Sequence, residues 1–182
     1  PTLLILSSDN KISCKENFQT SILEGLPFAE KGNLVTFGIK PSRPETGFGY
    51  IEAKDIISKN NKSSIIKSFI EKPNIEIANE LIKDDHFTWN SGIFLFKASA
   101  ILKEMNKFQP NIIDICKKSL KKNMQDFYFR RIDKDIFKNC PNISIDNAVM
   151  ENTNLGIVIS LDAGWNDLGS WKSVWEESKL DN

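Results

Sequence analysis

Histidine is almost missing from this chain: His86 is the only one in 182 residues. That excludes a histidine-based zinc centre and leaves no credible base for a serine or cysteine nucleophile. His86 itself reads as an isolated surface or core position. Cysteine is scarce as well. Cys14, Cys116 and Cys140 are odd in number and widely spaced, with no metal-ligand pattern. They read as reduced, structural thiols of a cytoplasmic protein. Neither sign of charge dominates, with 24 Lys+Arg against 24 Asp+Glu, which points away from nucleic acid and membrane surfaces. No apolar run approaches the ~20 residues of a membrane span. No signal peptide is visible, and Pro1 is an unusual first residue, so we expect sequence upstream of it. Gly-x-x-x-x-Gly-Lys-Ser/Thr and Gly-x-Gly-x-x-Gly are both missing, which leaves no self-contained phosphate cradle.

What is present suits one soluble globular domain over residues 1–182, with 40% hydrophobic and 26% charged residues. Short apolar runs at 2–6, 34–39, 93–96 and 157–161 read as strands. Residues 50–53 and 64–70 read as extended segments joined by the polar turn 58–62. Helical spacing marks 15–32, a segment opened by Pro73-Asn74, then 98–106, and 110–122 with Pro110 at its start. Residues 123–140 read as an exposed helix, and a final helix begins at Ser170. Strands alternating with helices predict an α/β fold: a mixed, mostly parallel sheet flanked by helices.

The most irregular stretch is Pro41-Ser42-Arg43-Pro44-Glu45-Thr46-Gly47-Phe48-Gly49-Tyr50-Ile51. Two prolines forbid a helix, and Gly47 and Gly49 let a ligand approach bare backbone. Such a loop after a strand suits a small-molecule site, with a structural turn of packed aromatics as the plain alternative. Other polar insertions also follow strands. Glu71-Lys72 offers a carboxylate for sugar hydroxyls and an ammonium for phosphate, or simply a solvated charge pair. Asp9 and Asp167 together could hold Mg²⁺, phosphate oxygens and water completing its shell. Taken singly, Asp9 reads as a helix N-cap and Asp167 as a turn residue. Asn90 and Ser91, just before the run 93–96, suit hydroxyls or cap that strand. Trp165, Trp171 and Trp175 read as core packing rather than a stacking platform.

Taken in order, these pieces resemble the sugar-1-phosphate nucleotidyltransferases, and among them the guanylyltransferases of mannose 1-phosphate. The matching series is 41–51, Phe69-Ile70-Glu71-Lys72-Pro73, Trp89-Asn90-Ser91-Gly92-Ile93-Phe94, Ser144-Ile145-Asp146-Asn147-Ala148-Val149-Met150-Glu151, and Trp165-Asn166-Asp167-Leu168-Gly169-Ser170-Trp171. The resemblance implies a nucleotide-diphospho-sugar transferase-like fold and a reaction joining mannose 1-phosphate to GTP, with release of pyrophosphate. It implies Asp9 and Asp167 as Mg²⁺ carboxylates and Glu71 as the acceptor of sugar hydroxyls. Lys72 becomes the phosphate contact, with Gly49, Tyr50 and Asn90 around the sugar. Asp146 and Glu151 take a supporting or sugar-positioning role. The implied partners are small molecules, with self-association into a homodimer left open.

Two departures stand out. The family's Pro-Ala-Asp-His is Ser7-Ser8-Asp9-Asn10 here, and its Gly-Gly-x-Gly-Thr-Arg-Leu-Trp-Pro loop does not occur. The 182 residues are therefore expected to form an N-terminally truncated unit: the sugar side and the metal carboxylates without the triphosphate cradle. Another hexose 1-phosphate or nucleotide, or a non-catalytic sugar-nucleotide-binding module, are the competing readings.

Overall fold

A computed structural model describes residues 1–121, 124–126, 128–169, 171 and 175. Its centre is a sheet of six strands: β1 (Thr2–Ile5), β3 (Leu34–Ile39), β4 (Tyr50–Ala53), β5 (Ser63–Ile70), β6 (Phe87–Lys97) and β9 (Gly156–Ser160). The spatial order is β1-β6-β3-β9-β5-β4, and a further pairing of β4 with β6 closes the last five strands into a ring. Two short ladders lie outside it, β2 (Lys11–Ile12) with β10 (Trp165–Asn166) and β7 (Met124–Asp126) with β8 (Phe129–Arg131).

The mixed α/β sheet is as expected, but its balance is not. Among the described ladders only β3 with β9 is parallel; the other pairings within the sheet are antiparallel. The hairpin β4–β5 and the long return strand β6 account for this, because a short connection can join only antiparallel neighbours.

Alternation along β3 shows why the sheet is covered on both faces. Val35 and Phe37 join Leu95, Ile157 and Ile159 under α1 (Lys15–Glu30). Leu34 joins Phe94 and Phe96 on the opposite face, beneath α3 (Ala98–Phe108) and a π-helical turn at Asp146–Met150. Side chains alternate with period two in a strand, so one continuous apolar run feeds two cores. Helix α1 comes close to the sheet through Ser21, Gly25 and Ala29, its buried stripe of small residues. A Cβ on Gly25 would sit 3.2 Å from Val35 and 3.3 Å from Leu95. The helix ends in a Schellman motif: Gly32 at φ +97° donates to Ala29 O, and Asn33 N–H donates to Phe28 O. Helix α2 (Ile75–Leu81) starts on Asn74, whose side chain accepts from Ile77 N–H. Helix α4 (Pro110–Lys121) begins at its proline, as expected.

Several expectations are corrected. Asp9 is no N-cap, because α1 begins at Lys15 behind Cys14. Residues 124–137 hold a hairpin and a four-residue α5 (Lys134–Phe137) in place of one helix. Trp89–Gly92 lies inside the eleven-residue β6, not before it: Trp89 pairs with Ile39 and Tyr50, Asn90 pairs with Gly38, and the ladder resumes at Phe94 opposite Thr36. Trp171 and Trp175 are exposed, so only Trp165 packs against the core. The helix expected from Ser170 lies outside the described residues. The three cysteines are free thiols. No helix among the described residues is long and apolar enough to cross a membrane.

Candidate active site

Strands β1 and β4 lie end to end along the same side of β6. Ile5, the last residue of β1, pairs with Phe94, while Tyr50, the first of β4, pairs with Trp89. Between these partners Asn90, Ser91, Gly92 and Ile93 have no strand on that side. A cleft of about 310 Å³ opens there, within the range of small-molecule sites. The chain that leaves β1 supplies Asp9, the chain that enters β4 supplies Gly49, and the end of β5 supplies Glu71 and Lys72. Asp167 arrives from β10, whose ladder with β2 pairs Asn166 with Lys11 and so sets Asp167 beside the Asp9 segment. Trp165 Nε1 donates to Asn10 Oδ1 at 3.1 Å and ties the two segments again.

Aromatic rings join the parts. Phe48 stands edge-on to both Trp89 and Trp165, each at 5.3 Å between centroids. Arg43 lies over Trp89 and is held by Glu45. The loop's entry into β4 is fixed by Glu45 N–H, which donates to the Tyr50 hydroxyl at 2.9 Å. Tyr50 is fully buried, so it supports the loop and does not face the cleft.

Gly49 is closely packed. A Cβ there would stand 2.7 Å from Glu71 Oε2, the far end of a flexible side chain, and 3.1 Å from the Phe69 ring, so an added methyl would push Glu71 aside. Glu71 thus lies against bare backbone, paired with Lys72 Nζ at 3.1 Å. Lys72 holds φ +46° and Leu168 φ +51°, the two non-glycine residues of the described chain with positive φ. Each such residue costs about 1–3 kcal/mol. Both adjoin cleft carboxylates, Glu71 in one case and Asp167 in the other.

Asp146 sits at the start of the π-helical turn and accepts from Asn90 Nδ2 at 3.0 Å. Burial, with the Glu71 carboxylate adding to it, pushes its carboxyl up to about 6. The structure therefore brings Asp9, Gly49, Glu71, Lys72, Asn90, Asp146 and Asp167 to one cleft. Glu151 is exposed, accepts from Asn147 Nδ2 and does not line it. Among the described residues no group of three or more His, Cys, Asp or Glu side chains could hold a metal alone. Asp9 and Asp167 are instead two hard oxygen donors in one cleft, neither engaged by another described residue. That donor set fits Mg²⁺ sharing its shell with substrate oxygens and water.

Thr36 was not singled out by its sequence. It stands behind the cleft, fully buried, and its hydroxyl lies 2.9 Å from Asn90 Oδ1. A lone hydroxyl in an otherwise apolar strand was the available signal.

The cleft thus gathers carboxylates, one ammonium and an amide beside the interruption along β6. The chain belongs to the nucleotidyl transferase family, whose model matches residues 1–182. A mannose-1-phosphate guanylyltransferase of Escherichia coli is 42% identical over 184 positions, covering 100% of this chain and 40% of that protein. Xanthan biosynthesis protein XanB of Xanthomonas campestris pv. campestris is 45% identical, covering 100% and 38%. The chain thus spans about two fifths of the length of these relatives. Among solved structures, one described as mannose-6-phosphate isomerase from Helicobacter pylori superposes with TM-score 0.82 at 31% identity, covering 91% of this chain and 64% of that one. One described as mannose-1-phosphate geranyltransferase from Thermus thermophilus gives 0.80 at 26%, covering 99% and 51%.

Proposed function

We propose that this chain carries the sugar-phosphate side of a guanylyltransferase that joins mannose 1-phosphate to GTP, giving GDP-mannose and pyrophosphate. The observation that carries this reading is the meeting of Asp9, Glu71, Lys72 and Asp167 in one cleft, in a chain 42% identical to a named mannose-1-phosphate guanylyltransferase. Glu71, largely shielded, accepts hydrogen bonds from hydroxyls of the sugar, and the more exposed Lys72 reaches its phosphate. A phosphate oxygen of the sugar attacks the α-phosphorus of GTP, and the bond to the β-phosphate breaks as pyrophosphate leaves. The nucleophile is already ionised, so the protein's task is alignment and charge neutralisation, with no acid or base required. Asp9 and Asp167 would hold Mg²⁺, which supplies positive charge to the phosphates.

Calorimetric titration of mannose 1-phosphate into the chain with Mg²⁺ tests this. Binding should be saturable, and Glu71→Gln should weaken it at least tenfold while guanine-nucleotide affinity changes less than twofold. Equal losses for both ligands would assign Glu71 to folding and overturn its sugar role. Absence of saturable binding would overturn the reading.

A further inference from the structure

We propose that Thr36, which touches no substrate, is a positioning residue that acts with Asp146 to fix which end of the Asn90 carboxamide faces the cleft. The proposal rests on the sugar-phosphate reading only for its consequence in binding; the hydrogen-bond arrangement stands without it. The two ends of an asparagine side chain are nearly equal in shape but opposite in hydrogen bonding, one an acceptor and the other a double donor. Nothing steric selects between them, so the neighbours must. On the inner side, the Thr36 hydroxyl lies 2.9 Å from Asn90 Oδ1 and 3.0 Å from the Ile93 carbonyl, two acceptors for its one proton. On the outer side, Asn90 Nδ2 donates to Asp146 Oδ1 at 3.0 Å. The Asn90 backbone is separately held by its N–H bond to Gly49 O at 2.8 Å, so only the carboxamide torsion is left to set.

With Nδ2 committed to Asp146, Oδ1 faces the hydroxyl and takes the one Thr36 proton, so Thr36 and Asp146 together hold the amino group outward. One amino proton goes to Asp146, and the other is available to the cleft that Asn90 lines. The consequence is a sorted wall: Glu71 and Asp146 present acceptors, and Asn90 contributes a donor between them. A ligand with adjacent hydroxyls can donate to the carboxylates and accept from the amide at once. Were the carboxamide reversed, three acceptor groups would face that ligand together, with Oδ1 set against the Asp146 carboxylate.

Replacing Thr36 by valine keeps the volume and deletes the inner donor, leaving buried Oδ1 without a partner. Thr36→Ser keeps the hydroxyl and loses a methyl group. Two readouts follow, both on the 182-residue chain. The first needs no ligand: the Asn90 side-chain amide resonances are assigned by their loss in Asn90→Asp and examined by NMR. We expect slowly exchanging, well-separated amide protons in the unaltered chain and in Thr36→Ser, and fast exchange or line broadening in Thr36→Val. The second is titration with mannose 1-phosphate and Mg²⁺, where Thr36→Val should bind at least fivefold more weakly and Thr36→Ser within twofold. An unchanged Asn90 amide signal in Thr36→Val overturns the proposal, as does an equal loss of binding in the valine and serine variants. Should the unaltered chain not bind mannose 1-phosphate, the functional reading fails while the amide measurement still decides the role of Thr36.

Discussion

Asp146 shows how one residue's surroundings become a pH dependence. Its carboxyl is raised from the ordinary value of 3.8 to about 6 by burial and then by Glu71, with the Asn90 amide and Lys72 pulling the other way. The folded chain therefore holds this proton more tightly than the unfolded chain does. The associated stability is complete below about pH 4 and is lost as pH rises through about 6. The open side of the cleft moderates the effect to on the order of 2 kcal/mol. Asp146→Asn should flatten this slope, so the difference between the two stability curves in urea should vary between pH 4 and 6 and be level above 7. A difference independent of pH would show that Asp146 titrates normally. Carboxylates across the cleft form the second residue-scale case. If Asp9 and Asp167 serve one ion, Asp9→Asn and Asp167→Asn should each abolish the Mg²⁺ dependence of sugar-phosphate binding. The double variant should then be no worse than either single one, whereas additive losses would mean two separate roles.

At the scale of elements, the loop 41–49 meets the cleft most closely at Gly49, against Glu71. Gly49→Ala should leave the chain folded but weaken mannose 1-phosphate binding at least tenfold, because the new methyl displaces Glu71. Gly47→Ala is the control: its Cβ would meet nothing closer than 3.5 Å, and binding should change less than twofold. Equal effects at both positions would show that loop flexibility, rather than the approach to Glu71, is what matters. The loop was legible in the sequence because its prolines and glycines announce a break. Strand β3 and helices α1, α3 and α4 were legible for the opposite reason, since unbroken apolar periodicity identifies them. Strand β6 was misjudged at its start because Asn90, Ser91 and Gly92 have weak strand preference. Pairing of Trp89 and Asn90 with β3, and of Phe94 beyond them, carries the strand across this stretch, and no local window contains that information. The aromatic and charged stretch after Lys121 misled in the same way, its residues suiting an exposed helix as well as the hairpin observed. Tyr50 resembled a ligand wall by position in its motif, yet strand alternation turns it inward.

For the molecule as a whole, long-range pairing decides what the site can be. The polar segments that follow the strands meet in one cleft, and they do so through pairing rather than through a shared strand direction. Asp9 and Asp167 come together through the β2–β10 ladder, and Gly49 and Glu71 through the β4–β5 hairpin, which pairs Tyr50 with Ile70. The β2–β10 pairing cannot be read from a window of sequence, whereas the hairpin was legible in its two extended segments and their polar turn. The family motifs conveyed the cleft only because resemblance carries long-range information that composition and periodicity lack.

The interruption between β1 and β4 along β6 also acts as a gauge. Its length is counted in residues of β6, from Trp89 opposite Tyr50 to Phe94 opposite Ile5. A slide of either flanking strand by one residue would turn its side chains to the wrong face. The aperture can therefore widen or narrow only in steps of two residues, about 7 Å each. Between those steps, ligand size has to be tuned by side chains projecting into a frame of fixed width, and relatives that accept larger or smaller sugars should keep the same strand register while differing in the residues around it.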